Sequence, residues 1–569
     1  MTTSTNHRPW WATAVVYQLY VRSFADANSD GIGDIAGIRS RLGYLNALGV
    51  DAIWLNPCYP SPQHDHGYDI SDFFDIEPEY GTLADFDALV ADARQHGIKI
   101  LMDVVPNHCS WDHPWFKEAV AAGRGSGERG RFYFRDGKGD NGDEPPNNWV
   151  SIFGGSTWTR VTEPDGSPGQ WYLHVFASQQ PDMNWFHPDV AQHFDDMLRF
   201  WFDRGVEGFR ADAVVVLGKT EGLPDYDSTT PQPREIGSNN PHYMFHPSGH
   251  RAWKRWRSVV DQYQVEHPER ELFIVAEAYT PGNPDLLQQY VNPHEFHQSF
   301  AFDLLLSPWV AANFRAAMSM FIDTLLPRGL FPAWTLNNHD AQRCVTRFGR
   351  ADAADPASYT GDNLINSTAL VDLGVGTRRA RAAVSLMLAL PGSAYLYMGE
   401  ELGLPEVLDL PDDARQDPIF LRTSGRDIGR DGCRVPMAWT RDLGTLFGFC
   451  AEARDQPAWM PQPAGWGDYA ADSQGTAVDS VLGLYRAAIA SRKAWLSSDV
   501  VVWEDVGDPV LLAFTRDNVL VVTNFSGEAR PLPVGLVAGR TVVLSSEFGH
   551  DDSSVVPGDT TVWLRVRPG

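Results

Sequence analysis

Nowhere does this chain approach the roughly 20 consecutive apolar residues that a membrane helix requires. Its opening, MTTSTNHRPWWATAVVYQ, lacks the charged stretch followed by an apolar one that marks an export signal. Cysteine is scarce: Cys58, Cys109, Cys344, Cys433 and Cys450 are scattered through 569 residues without a CxxC pair. Neither a disulfide framework nor a zinc site is indicated, and the chain reads as cytoplasmic. Positive charge is also short, with 46 Lys and Arg against 73 Asp and Glu and a formal charge of −27. Such a surface repels nucleic acid and anionic membranes, so the expected partner is a neutral small molecule. Repeats at solenoid periods and low-complexity tails are absent as well.

What is present is a long chain, 43% hydrophobic and 12% aromatic, with enough apolar mass for more than one core. Short β-rich apolar runs alternate with helical periodicity from about residue 10 to 490. Phe86, Leu89, Val90 and Ala93 share one helical face, Gly97 ends that helix, and Ile98 to Val105 follows as a buried strand. The same pattern joins Ile38, Leu42, Leu45 and Gly49 to the run 52–55, and Val190, Phe194, Met197, Trp201 and Gly205 to 208–210. With 15–20, 272–276, 299–302, 333–336 and 394–397, eight strand candidates result, which predicts a (β/α)8 TIM barrel. The pattern breaks over 109–182, a Gly-, Pro-, Asp- and Trp-rich stretch that reads as an inserted subdomain between barrel segments 1–108 and 183–496, the latter with an extended loop at about 404–450. Over 497–569, short strands without helices predict a C-terminal antiparallel β-sandwich.

Carboxylates recur where the predicted strands end: Asp103, Asp212, Glu277 and Asp340. In a β/α barrel these positions converge on the C-terminal face, where active sites are built. One such Asp is commonly a turn or cap residue. Four mutually repelling acids in one cleft persist only if chemistry or a cation requires them. With no phosphate loop and no Ser-His-Asp spacing, the cluster fits glycoside hydrolysis, in which one carboxylate attacks and another shuttles a proton.

DVVPNH (103–108), GFRADA (208–213), VAEA (275–278) and NNHD (337–340) resemble the four signature segments of glycoside hydrolase family 13, in the family's order. QPDMN (180–184) resembles its fifth, and YMGEELGL (397–404) and RVPMAW (434–439) resemble blocks of its α-glucosidase and oligo-1,6-glucosidase branch. The likeness implies Asp212 as nucleophile, Glu277 as acid/base and Asp340 as the acid that stabilises the transition state. It implies that Arg210 keeps Asp212 ionised, and that His108 and His339 donate to hydroxyls of the bound glucose. Glu277 would start protonated, raised by an apolar wall and neighbouring acids.

QHDHGYD (63–69) resembles the segment that closes the pocket of exo-acting members. By that likeness Asp65 grips the far hydroxyl of the terminal sugar, Tyr68 is a stacking platform and Arg434 partners Asp65. His66 stands where the commonest version has Asn. In this branch the residue after the nucleophile goes with linkage, valine with α-1,6 and alanine or threonine with α-1,4, and here it is Ala213. A small residue chosen for packing explains Ala213 equally well. Asp26, Asn28, Asp30, Ile32 and Asp34 are spaced as oxygen ligands but lack an EF-hand's final glutamate, with Gly37 in its place. They resemble the family's structural calcium or magnesium loop, and an Asx-rich turn without metal is the alternative. No organic cofactor is implied.

The sequence thus reads as a retaining exo-α-glucosidase acting on maltose and short α-1,4-glucosides, with some transglucosylation. A transglucosylase or isomerase such as a trehalose synthase would use the same acids, and an oligo-1,6-glucosidase is the other enzymatic alternative. Transporter-ectodomain relatives lack the acids and carry a membrane helix, so that reading is disfavoured.

Overall fold

The structure, a computed structural model, describes residues 8–227, 239–359, 366–475 and 477–566. Eight parallel strands form one sheet: β1 (Val15–Leu19), β2 (Ala52–Leu55), β3 (Lys99–Val104), β4 (Gly208–Ala211), β5 (Phe273–Ala276), β6 (Gln298–Ser299), β7 (Ala333–Thr335) and β8 (Ser393–Tyr397). Their order is β7-β8-β1-β2-β3-β4-β5-β6, and a parallel bridge from Phe300, just past β6, to Ala333 of β7 closes the barrel. β6 is shorter than 299–302 because Phe302 already opens the helix Phe302–Leu305.

Strand alternation sorts the side chains into two cores. Val15, Tyr17, Leu19, Ile53, Leu55, Ile100, Met102 and Ile274 point outward onto the helices. Val16, Trp54, Leu101, Val275, Phe300 and Tyr395 fill the barrel interior. Gly208 is required at this density: a Cβ there would lie 2.6 Å from the Phe273 carbonyl oxygen and 2.8 Å from its ring. The helix Leu83–Gln95 buries Phe86, Leu89, Val90 and Ala93, starts with a Thr82–Asp85 capping box and gives way to Gly97 at φ 70°.

Between β3 and β4 lie the helix Pro114–Ala122 and a three-stranded antiparallel sheet of Phe134–Arg135, Pro168–Leu173 and Trp158–Thr162. This insert does not carry its whole core within 109–182. Tyr133, Trp149, Trp158, Leu173 and Val175 pack with Val216, Leu223, Tyr243 and Met244, which follow β4. The segment after Asp212 is thereby tied to the insert. The C-terminal unit has a five-stranded antiparallel sheet over a two-stranded one (Arg530–Pro531 with Val555–Val556), with Leu511, Leu520, Val522, Leu532, Val556 and Leu564 between them. Its other face docks on the helix Leu373–Leu388, where the Trp563 indole donates to the Ser385 carbonyl (3.0 Å). Among the described residues no helix is long and apolar enough to cross a membrane. All five cysteines are buried and unpaired.

Candidate active site

Strand register gathers the acids. Asp103 on β3 pairs with Arg210 on β4, and Arg210 pairs with Val275 on β5. One step further, the Asp212 amide donates to the Val104 carbonyl and the Glu277 amide to the Ala211 carbonyl, both at 2.9 Å. Arg210 and Asp212, two residues apart, share the inward side. The Arg210 guanidinium then serves three carboxylates: Nη1 donates to Asp103 Oδ1 (2.8 Å) and Asp212 Oδ1 (2.6 Å), and Nη2 lies 2.9 Å from Glu277 Oε2. Glu277 Oε2 also accepts the Ala213 amide at 2.7 Å. Reach separates the groups into two sets. The side chains of Asp212 (12% exposed), Asp340 (18%) and Glu277 (23%) can be touched from the cleft, whereas Asp103 (0%) and Arg210 (2%) cannot.

A guanidinium shared three ways does not hold Asp212 in its ordinary range. Burial, then Glu277, Asp103 and Asp340, outweigh Arg210 and push the Asp212 carboxyl well up. Arg210 pulls the other way, toward the ionised form, as the resemblance implies. Burial also raises Glu277, with Arg210 opposing and Asp340 adding to it, so the two neighbouring acids titrate as a pair. Asp103 is pushed up to about 7 by burial against the pull of Arg210. Asp340 goes the other way: burial would raise it, but His339, Arg430, Arg434 and Arg210 together hold it below the usual carboxylate range.

His339 stacks on Tyr68 with ring centroids 5.3 Å apart and planes 5° from parallel. Gln18 Nε2 donates to His339 Nδ1 (2.8 Å), so the hydrogen sits on Nε2, 2.6 Å from Tyr68 Oη and 3.1 Å from Asp340 Oδ2. Burial drives the pKa of His339 well below its ordinary value. Both of its nitrogens thus face side chains of the site itself, Gln18 on one edge and Tyr68 and Asp340 on the other. Tyr68 Oη accepts from Asn56 (2.9 Å) and donates to Asp103 Oδ2 (3.1 Å), which fixes the ring as a wall of the site. His108, lowered to about 3 by burial, has Nε2 3.1 Å from Gln180 Nε2. The same amide nitrogen donates to Asp65 Oδ2 at 2.9 Å.

Asp65 sits on a loop shaped by Asp69, whose carboxylate accepts the His64 and Asp65 amides at 3.0 Å, and by Gly67 at φ 98°, where a Cβ would meet the Pro57 carbonyl oxygen at 2.9 Å. Its arginine is Arg430, not Arg434 as the resemblance implied. Arg430 Nη2 donates to Asp65 Oδ1 and Nη1 to Asp340 Oδ1, both at 2.9 Å. Arg434 is fully buried one turn away and braces Asp340 Oδ1 (3.0 Å) and the His339 carbonyl (2.9 Å). The four-residue spacing of two arginines beside the RVPMAW block was the available signal for Arg430. For Gln180 it was the first position of the fifth segment.

Ala213 adopts φ 47°, ψ 35°, the left-handed region. That conformation aims its amide at Glu277, and a β-branched side chain tolerates it poorly. Ala213→Val is expected to cost about 1–3 kcal/mol of stability, while Ala213→Gly costs none of this strain. Urea denaturation of the three proteins measures it.

In the loop 26–34 the side chains are engaged locally. Asp26 accepts the Ser29 (2.6 Å) and Gly31 (2.7 Å) amides, Asn28 the Asp30 amide (2.9 Å), and Asp30 the Ile32 amide (2.9 Å). Asp34 caps the helix Ile35–Ser40 through the Gly37 amide (2.6 Å). Among the described residues no three acidic, His or Cys side chains converge as a metal cage would. These amide contacts order the loop locally, as Asx turns do.

Comparison with known proteins places the chain in a family. Residues 18–499 match the model of the alpha amylase catalytic domain. The oligo-1,6-glucosidase of Parageobacillus thermoglucosidasius is 33% identical over 99% of this chain and 98% of its own. Maltase 1 of Drosophila virilis is 34% identical over 94% of this chain and 79% of its own. The crystal structure of the isomaltulose synthase PalI from Klebsiella sp. LX3 superposes with a TM-score of 0.82 at 29% identity, covering 99% of this chain and all of that one. With a match across most of its length and the acid cluster at its barrel strand ends, the chain is a glycoside hydrolase of the α-amylase family, family 13.

Proposed function

We propose that this enzyme is a retaining, exo-acting α-glucosidase that releases α-glucose from the non-reducing end of short α-1,4-linked glucosides such as maltose. The observation that carries the reading is the Arg430 bridge between Asp65 and Asp340, beside the reachable Asp212 and Glu277. A wall tied together in this way supports a pocket one sugar deep, entered by a chain end.

Asp212 attacks the anomeric carbon while Glu277 protonates the leaving oxygen. Glu277 Oε2 already accepts the Ala213 amide and lies 2.9 Å from Arg210 Nη2, so the transferable proton belongs on Oε1. As it leaves, Glu277 becomes an anion facing the same guanidinium, which then offsets its charge instead of that of Asp212. In the second half-reaction Glu277 takes a proton from water, which releases α-glucose. Asp340, held anionic by its arginines, stabilises positive charge at the ring in both steps.

Transfer to a sugar acceptor is the second reading, favoured by the likeness to an isomaltulose synthase. Incubation with maltose, isomaltose, trehalose and sucrose separates the two. Free glucose from maltose, with isomaltose turned over at least about tenfold more slowly, supports the α-1,4-glucosidase. Accumulating isomerised disaccharides or longer glucosides would make the enzyme a transferase.

For the loop 26–34, the all-oxygen donor set of three carboxylates, a carboxamide and the Ile32 carbonyl supports a structural Ca2+, with Mg2+ as the smaller alternative. Its role would be to stabilise the first β/α connection. Saturating Ca2+ is expected to raise Tm over EDTA-treated protein by a few degrees, as about 100-fold excess over Kd adds about 2.7 kcal/mol. Asn28→Ala with Asp30→Ala should abolish the shift. An unchanged Tm in wild type leaves the Asx turn as the whole explanation. The scattered, unpaired cysteines support a reducing, cytoplasmic setting.

A further inference from the structure

His66 is buried, carries φ 53° and has no hydrogen-bond partner of good geometry at either ring nitrogen among the described residues. Its Nε2 lies 3.3 Å from Asp431 Oδ1, an oxygen that likewise has no hydrogen-bond partner of good geometry there. A buried imidazole in a left-handed conformation is costly, and a glycine would avoid both penalties. The contact with Asp431 must therefore serve something else.

It closes a ring. Asp431 Oδ2 accepts the Gln416 amide (2.9 Å) and the Asp417 amide (3.0 Å). Asp417 Oδ2 accepts Arg430 Nε and the Arg430 amide, both at 2.7 Å. Arg430 reaches Asp65, and Asp65 precedes His66 in the chain. Tyr20 fixes the far side by donating to the His66 carbonyl (3.1 Å), and the Trp459 ring packs edge-on against the imidazole at 5.7 Å. Every side chain of the ring is at least nine-tenths buried.

We propose that His66 is a positioning residue for the sugar-end clamp. Acting through Asp431 and Asp417, it orients Arg430 so that one guanidinium grips Asp65 and Asp340 together. It touches no substrate itself. The inference rests on the reading that Asp65 binds the hydroxyl farthest from the scissile bond, the 4-hydroxyl of the terminal glucose.

The test compares kcat/KM on p-nitrophenyl α-glucoside and on its 4-deoxy analogue. His66→Gly keeps the backbone conformation and removes the contact. It is expected to lose about 10- to 100-fold on the parent substrate and less than about threefold on the 4-deoxy compound. His66→Asn, which tolerates the same φ and offers an amide N–H to Asp431, should recover most of that loss. Asp431→Asn approaches the contact from the other end and should reproduce the selective loss if the glycine variant does not fold. Equal losses on both substrates, or none on either, would overturn the role of His66 provided that Asp65→Asn discriminates between them. If Asp65→Asn fails to discriminate, the reading of Asp65 falls first and the inference with it.

Discussion

Asp212→Asn is expected to lower kcat/KM on maltose by about 10^4-fold or more while leaving the fold intact. The carboxamide keeps the shape and one acceptor for Arg210 Nη1 but cannot form the glycosyl ester. It also takes one of three carboxyl groups from around a single guanidinium. Without a second carboxyl the mutual repulsion within the pair is gone, so the last proton of the pair's site should leave at lower pH than in the wild type. The sign follows from removing an anion that favours the protonated form. Kinetics on maltose with circular dichroism as the folding control check the first part. Titration of Glu277 by infrared difference spectroscopy in the variant checks the second. A loss under about a hundredfold would remove Asp212 from the nucleophile's role.

The second large effect lies across the pocket. Arg430→Ala strips the common partner from the buried carboxylates of Asp65 and Asp417 and from the cleft-facing Asp340. Removing one member of a buried charge network costs about 3–5 kcal/mol because the remaining charges stay uncompensated. Activity should fall by about 10^2- to 10^3-fold, mostly in KM for substrates with an intact terminal glucose. Arg430→Lys keeps the charge but has no planar fork to span two acids, so it should recover stability better than activity. The Asp417 carboxyl sharpens the pH dependence. Burial would raise it, but Arg430 and Arg434 hold it below the ordinary range, so its stabilisation is present above the unfolded carboxylate pKa and lost as pH falls through the folded one. Without Arg430 that acid stability should largely disappear, and the variant should become relatively less disadvantaged as pH drops. Chemical denaturation at several pH values measures both effects. A variant with wild-type stability at neutral pH would contradict the network.

Much of this was legible in the sequence because the relevant signals are local. Phe86, Leu89, Val90 and Ala93 declare a helical face whatever lies beyond it, and the acids at residues 103, 212 and 277 follow apolar runs that can only be buried strands. The closing arginine was less legible. Arg430 comes from an irregular stretch in which short 3-10 turns at Asp412–Ala414 and Asp431–Cys433 give no periodicity. Its reach to Asp65 spans 365 residues of sequence. The sharing of Arg210 among three acids was hidden for the same reason, since each pairing depends on barrel register. His66 looked like a simple departure from a motif until its positive φ explained why Asn, tolerant of that conformation, fits the same place.

Retention is the central claim, and the anomer of the first-formed product tests it most directly. Proton NMR during the first turnovers of wild-type enzyme on maltose, with Asp212→Asn as the blank, should show α-glucose appearing ahead of mutarotation. β-Glucose as the initial product would contradict the double-displacement assignment of Asp212 and Glu277.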